Sequence, residues 1–114
     1  MILHVALAIV SGVPRAWLDD EAAVRGAVHA AIAAGGFTEL GDITRRFAPQ
    51  GVTACAVLGE SHLAVHTWPE EGRLFVDVAS CASEASVARA LEALAAAAPN
   101  GRLEQVQRCV LSAT

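Results

Sequence analysis

The sequence predicts an α+β two-layer sandwich, an antiparallel β-sheet carrying two helices on one face. Three observations predict it. Residues 52–80 hold three short apolar stretches whose connections are long enough for hairpins and too short for crossovers. A stretch with helical spacing of apolar residues stands on either side of this region. A further apolar segment lies near each end of the chain, giving the order β-α-ββββ-α-β.

Taken in order, residues 2–9 (ILHVALAI) read as a buried strand. Pro14 and the Asp19–Asp20 pair open a helix in which Val24, Val28 and Ile32, spaced four apart, share one face; Gly35 and Gly36 stop it. Residues 37–47 form a weaker strand, and Pro49-Gln50-Gly51 a turn. The meander follows as VTACAVL (52–58), SHLAVHTW (61–68) and RLFVDVAS (73–80), broken by Gly59-Glu60 and by Pro69-Glu70-Glu71-Gly72. Ser83, with Glu84 in the first turn, caps a second helix, VARALEALAAAA, which ends at Pro99-Asn100-Gly101. Residues 102–112 make the last strand.

At 114 residues the chain is one domain with a modest core. The sheet face without helices is expected to pair with a second copy, giving a homodimer. A hydrophobic content of 54% with 18% charged residues excludes a disordered chain. The net charge of −4, without any run of Lys or Arg, argues against nucleic acid or an anionic membrane as partner. The opening MILHVALAIV has no basic segment before it and is too short to span a bilayer. Cys55, Cys81 and Cys109 are odd in number and lack CxxC spacing, which speaks against a disulfide framework or zinc knuckle. A cytoplasmic location is the expectation.

The polar residues of the meander carry the chemistry. With Gly59-Glu60 as a two-residue loop, Thr53 falls opposite His66; with 69–72 as a four-residue loop, Cys81 falls opposite Glu60 and beside Ser61. Alternation puts His62, His66, Asp77 and Cys81 on one face, and Ser61, which flanks the turn, on the other. A hydroxyl, an imidazole and a thiol then gather near one hairpin tip. Each has an ordinary reading too. Thr53 suits a strand, Ser61 a turn, and Cys81 a small buried site. Cys55 and Cys109 are expected in the core, and His29 on the surface of the first helix. Asp77, amid Phe75, Val76 and Val78, needs a partner or a wet site. His62 and His66, four apart on a strand, are roughly 13 Å from one another, too far to share a metal ion, so no metal is expected.

Residues 47–81, FAPQGVTACAVLGESHLAVHTWPEEGRLFVDVASC, resemble the short bacterial and archaeal form of S-adenosylmethionine decarboxylase, most specifically in GESHLAVHTWPE, residues 59–70. Before Phe47 the likeness rests on His4-Val5, and after Cys81 on element order. The resemblance implies a self-processing, pyruvoyl-dependent decarboxylase acting on S-adenosylmethionine in polyamine biosynthesis. It implies a cut between Glu60 and Ser61 into residues 1–60 and 61–114. The Ser61 hydroxyl would attack the Glu60 carbonyl, and elimination and hydrolysis would leave a pyruvoyl group, the later Schiff-base former. His66 would be the proton acceptor in processing. Thr53, matching a Ser in the family's GVS, would be the processing hydroxyl. Cys81, matching the Cys of its FTCG, would be the proton donor. Glu70 would hold the substrate's ribose hydroxyls and Phe47 would stack on its adenine. Decarboxylation needs an electron sink, and a pyruvoyl carbonyl supplies one without pyridoxal phosphate or metal. A thiol suits the acid that then protonates the carbon.

The family's WPEYGYAAVDxFTCG reads WPEEGRLFVDVASCA here: two aromatic positions have become Glu71 and Arg73, and the chain has no Tyr. These changes bear on the substrate more than on the chemistry. Some relatives decarboxylate arginine or ornithine, and Arg73 or Glu71 would suit such a changed pocket. A reading from another class is a non-catalytic homologue that binds or regulates an active one.

Overall fold

The computed structural model describes residues 1–112. The elements are β1 (Ile2–Ser11), α1 (Arg15–Leu18), α2 (Glu21–Gly35), β2 (Glu39–Arg46), β3 (Val52–Leu58), β4 (Ser61–Trp68), a 3₁₀ turn (Pro69–Glu71), β5 (Arg73–Ser80), α3 (Glu84–Ala97) and β6 (Arg102–Ser112). The strands form one six-stranded sheet in the order β2-β3-β4-β5-β1-β6, antiparallel at each junction. The expected α+β sandwich is therefore the observed one. Two pieces were not foreseen: the four-residue helix α1, which Pro14 opens, and the 3₁₀ turn within the loop after β4.

Caps set the helix ends. The Asp20 side chain accepts the Ala23 N–H, and Ser83 accepts the Ser86 N–H. Gly36 closes α2 at φ 70°, a left-handed conformation that glycine enters without a Cβ clash. The apolar face of α2 (Val24, Val28, Ile32) and that of α3 (Leu91, Leu94) pack on the same side of the sheet, against Leu63, Val65, Leu74, Val76 and Val78. Among the described residues no helix is long and apolar enough to cross a membrane.

Alternation divides the sheet into a covered face and an open one. Val52, Ala54, Ala56 and Leu58 of β3 point to the helices, while Cys55 and Val57 are exposed on the open side. Cys55 and Cys109 were expected in the core; both are exposed free thiols. An apolar strand conceals its phase, and both cysteines fall on the outward one.

Thr67 is the buried polar joint of this layer. Its hydroxyl accepts the Val52 N–H at 2.8 Å and donates to the Leu18 carbonyl at 2.7 Å, tying β4 to β3 and to α1. Thr67→Val keeps the shape and strands both partners. A loss of about 2 kcal/mol is expected, read as a lower urea midpoint with unchanged slope.

Ion pairs fasten the edge of the sheet to the helices. Arg25 and His29 of α2 both hold Asp42 of β2, at 3.1 and 2.7 Å, and His29 also reaches Glu39 at 3.3 Å. His29, expected simply on the helix surface, is thus engaged with the neighbouring strand. His29, Glu39 and Asp42 offer three atoms within 4.8 Å of one another that could ligate a metal. Arg25 already occupies both Asp42 oxygens, so the group is an ion-pair network. Arg46 holds Asp19 at 2.7 Å, and Asp19 also accepts the Gly51 N–H. The Arg25 and His29 hydrogen bonds keep the Asp42 carboxyl below the ordinary aspartate value of 3.8, and Arg46, then Gly51, do the same for Asp19. A carboxyl more acidic in the fold than in the unfolded chain stabilises fully above about pH 4 and loses that contribution as pH falls through its folded value. Unfolding midpoints measured from pH 6 downward should therefore drop below pH 4. An Asp19→Asn/Asp42→Asn variant should show a shallower drop.

Candidate active site

The register anticipated from loop lengths is present: Thr53 lies opposite His66, and Ser61 opposite both Leu58 and Ser80. The Gly59-Glu60 tip is pinned on three sides. Gly59 N–H donates to the Thr38 carbonyl at 2.8 Å, and the Glu60 side chain accepts the Thr38 N–H at 2.9 Å. The Glu60 carbonyl accepts the Cys81 N–H at 3.1 Å. That carbonyl belongs to the Glu60–Ser61 peptide, so a backbone donor already sits on the oxygen that would carry negative charge if a nucleophile attacked it.

Ser61 does not follow strand geometry. Its φ is 150°, a region L-residues seldom enter and one worth of order 1–3 kcal/mol of strain. Alternation alone would aim the side chain at the helices, yet the Oγ comes within 3.3 Å of Nδ1 of His62, a residue of the open face. His62 Nε2 in turn lies 3.4 Å from Asp77 Oδ1. Asp77 pairs with Ala64, diagonally across from His62, which explains how a charge fits in that apolar strand. Cys81 is exposed, directly after β5 and two residues before the Ser83 cap. Ser80, fully buried, accepts the Ala82 N–H at 3.0 Å and fixes that exit.

A second group stands further along the open face. Thr53 Oγ1 is 3.0 Å from His66 Nδ1, and the His66 ring stacks on Phe75 with centroids 6.0 Å apart and planes 20° apart. Ser61 and His66 are five residue steps apart along β4, roughly 17 Å. Within one chain, therefore, Thr53 and His66 do not reach the Ser61 tip. Phe47 and Glu70 are exposed at the same far end of β4, in the loop after β2 and in the 3₁₀ turn. A cleft of about 310 Å³ at that end is lined by Ile9, Trp68, Glu71, Arg73, Glu104 and Gln105. Arg73 there pairs with Glu104 at 3.3 Å and Glu71 at 3.4 Å.

The sequence-predicted residues thus form two groups: Glu60, Ser61 and Cys81 at the tip, and Thr53, His66, Phe47 and Glu70 away from it. Sequence reasoning missed the Ser61–His62–Asp77 chain of contacts and the Phe75 stack. Both follow from diagonal and direct cross-strand neighbours once the register is known.

The family model for S-adenosylmethionine decarboxylase matches residues 4–108. The S-adenosylmethionine decarboxylase proenzyme of Prochlorococcus marinus (strain MIT 9313) is 45% identical over 93 residues, which is 80% of this chain and 74% of that one. The proenzyme of Synechococcus sp. (strain WH7803) is 53% identical over 64 residues, 56% of this chain and 50% of its own length. That of Methanococcus vannielii is 47% identical over 64 residues, covering 56% and 52%. Among solved structures, the crystal structure of the adenosylmethionine decarboxylase from Aquifex aeolicus VF5 superposes with a TM-score of 0.80 at 25% identity, over 97% of this chain and 88% of that chain. The matched segments thus span from about half to about three quarters of these proenzymes' own lengths. With a match that runs through almost every strand and both long helices, the chain belongs to the S-adenosylmethionine decarboxylase family.

Proposed function

We propose that the chain cuts itself between Glu60 and Ser61, converts Ser61 to a pyruvoyl group, and decarboxylates S-adenosylmethionine in the cytoplasm, a compartment that suits its three free thiols. The observation that carries the reading is the Glu60–Ser61 peptide itself. A hydroxyl, a carbonyl held by the Cys81 N–H and a strained Ser61 backbone meet at one bond. The hydroxyl attacks the Glu60 carbonyl carbon, the C–N bond breaks, and Ser61 is left with a free amine and an ester. Loss of the Ser61 Cα proton then expels the Glu60 carboxylate, and water releases ammonia to leave the pyruvoyl group. That group supplies a carbonyl able to condense with the substrate's amine and take up the electrons of the departing CO2. Cys81, exposed beside the tip, is placed to give the proton that replaces the carboxyl.

The active form in this reading is a homodimer. Two copies joined through their open faces about a two-fold axis would lay the Ser61 tip of one over the Thr53–His66 pair of the other, making two equal sites. The roughly 17 Å gap within one chain supports this. So does the apolar character of the face, where Ile43 is 74% and Val57 58% exposed.

Intact-protein mass spectrometry on freshly purified material tests the cut. Masses matching residues 1–60 and a pyruvoyl-capped 61–114 are expected, with CO2 released from S-adenosylmethionine. Release from arginine or ornithine instead would assign the Glu71–Arg73–Glu104 cleft to a different substrate. A single uncut mass, unchanged after days, would leave a non-catalytic partner of an active homologue as the better reading.

A further inference from the structure

We infer that His62, held by Asp77, is the base that takes the Ser61 hydroxyl proton and so starts self-cleavage; the inference rests on the self-cleaving reading above. Two distances carry it: Ser61 Oγ to His62 Nδ1 at 3.3 Å, and His62 Nε2 to Asp77 Oδ1 at 3.4 Å. With the Nε2 proton on the side of the Asp77 carboxylate, an ion-pair contact at 3.4 Å, Nδ1 presents its lone pair to the serine hydroxyl. This is the logic of a nucleophile, a base and a group that fixes the base's tautomer, with the two ring nitrogens exchanged relative to the serine-protease arrangement.

The other candidate bases fall short of that oxygen. His66 of the same chain lies roughly 17 Å along β4, and in the proposed dimer the partner's His66 has its Nδ1 engaged by Thr53. The Glu60 carboxylate is turned away to the Thr38 N–H. The Cys81 backbone N–H is a donor aimed at the carbonyl, not an acceptor for the hydroxyl proton.

The step balances without any added reactant. The Oγ proton moves to His62 Nδ1 as Oγ bonds to the Glu60 carbonyl carbon. The negative charge that forms on the Glu60 oxygen faces the Cys81 N–H. As the C–N bond breaks, His62 returns the proton to the Ser61 nitrogen, leaving a neutral imidazole, an ester and an amine. Asp77 acts through His62 and is a positioning residue. The work then divides between two imidazoles: His62 for the hydroxyl proton and, in the dimer proposed above, His66 of the partner subunit for the later Cα proton.

The test is the rate of cutting after cell-free synthesis of the full chain, followed by intact mass. His62→Ala and His62→Gln should each slow the cut by about 100-fold or more, the lower range for a lost general base. Asp77→Asn should slow it by about 10-fold, and Asp77→Glu should recover much of the loss, which a packing role would not give. Since His62 is 47% exposed, added imidazole should speed the His62→Ala variant severalfold. Hydroxylamine splits an ester but not a peptide, so it should leave stalled His62→Ala chains whole. Cutting by both His62 variants within threefold of the parent overturns the inference, as does hydroxylamine cleavage of stalled chains, which would place the block after the ester. A parent chain that stays uncut under the same conditions defeats the self-cleaving reading itself, and this inference with it.

Discussion

Chains carrying Ser61→Ala and His66→Ala will each stay uncut when produced alone and will cut when produced together. Ser61→Ala removes the nucleophile, so its own peptide bond survives under every condition. His66→Ala keeps the nucleophile and loses the imidazole that pairs with Thr53 at 3.0 Å. In a mixed dimer joined through the open faces, one site combines the intact Ser61 of one chain with the intact His66 of the other. With random pairing at equal amounts, roughly half of the His66→Ala chains sit in such dimers and should appear as two fragments, up from none. The fragments must carry the His66→Ala mass, which identifies the chain that was cut. Mixed dimers that form and remain whole would show that the two groups of residues never meet. Cutting by His66→Ala alone would remove that imidazole from processing.

The second large effect is on stability. Leu94 is fully buried on α3, in the layer where that helix meets α2 and the sheet. Leu94→Ala leaves a cavity between rigid elements and is expected to cost about 3 kcal/mol of a total that runs to only about 5–15 for domains of this kind. Thermal melting should fall by roughly 10–20 °C. Leu40, 68% exposed on the edge strand β2, is the control: Leu40→Ala should shift the midpoint by no more than about 0.5 kcal/mol equivalent. Equal shifts for the two variants would mean that the α3 layer is not the core.

How far the sequence could be read depended on how local the determinant was. The β3–β4 and β4–β5 registers were legible because loops of two and four residues leave few pairings once the apolar residues must face one side. The caps at Asp20 and Ser83 were legible for the same reason. Helix α1 was not, since four residues carry no period. Cys55 and Cys109 were misplaced because neighbouring apolar residues mask which phase points inward. At the site, pairing arithmetic identified what lies opposite what. The same arithmetic, which sets His62 and His66 roughly 13 Å apart, also sets His66 most of a strand length from Ser61. The meeting of Ser61 with His62 escaped notice for a conformational reason: φ of 150° is where glycine would be expected, and the sequence puts serine there.

The strand order has a consequence for the protein if it is cut as proposed. Residues 1–60 supply β1, β2 and β3, and the rest of the chain supplies β4, β5 and β6. In the sheet, β1 is laced between β5 and β6 and β3 is paired with β4, so neither fragment can leave without unzipping three ladders. Cutting the tip between β3 and β4 therefore changes the molecularity of unfolding without opening the sheet. The intact chain loses structure as one body. A cut one would dissociate into two, so its melting point would depend more steeply on protein concentration than that of the uncut dimer, and its return after denaturation would depend on two fragments meeting again.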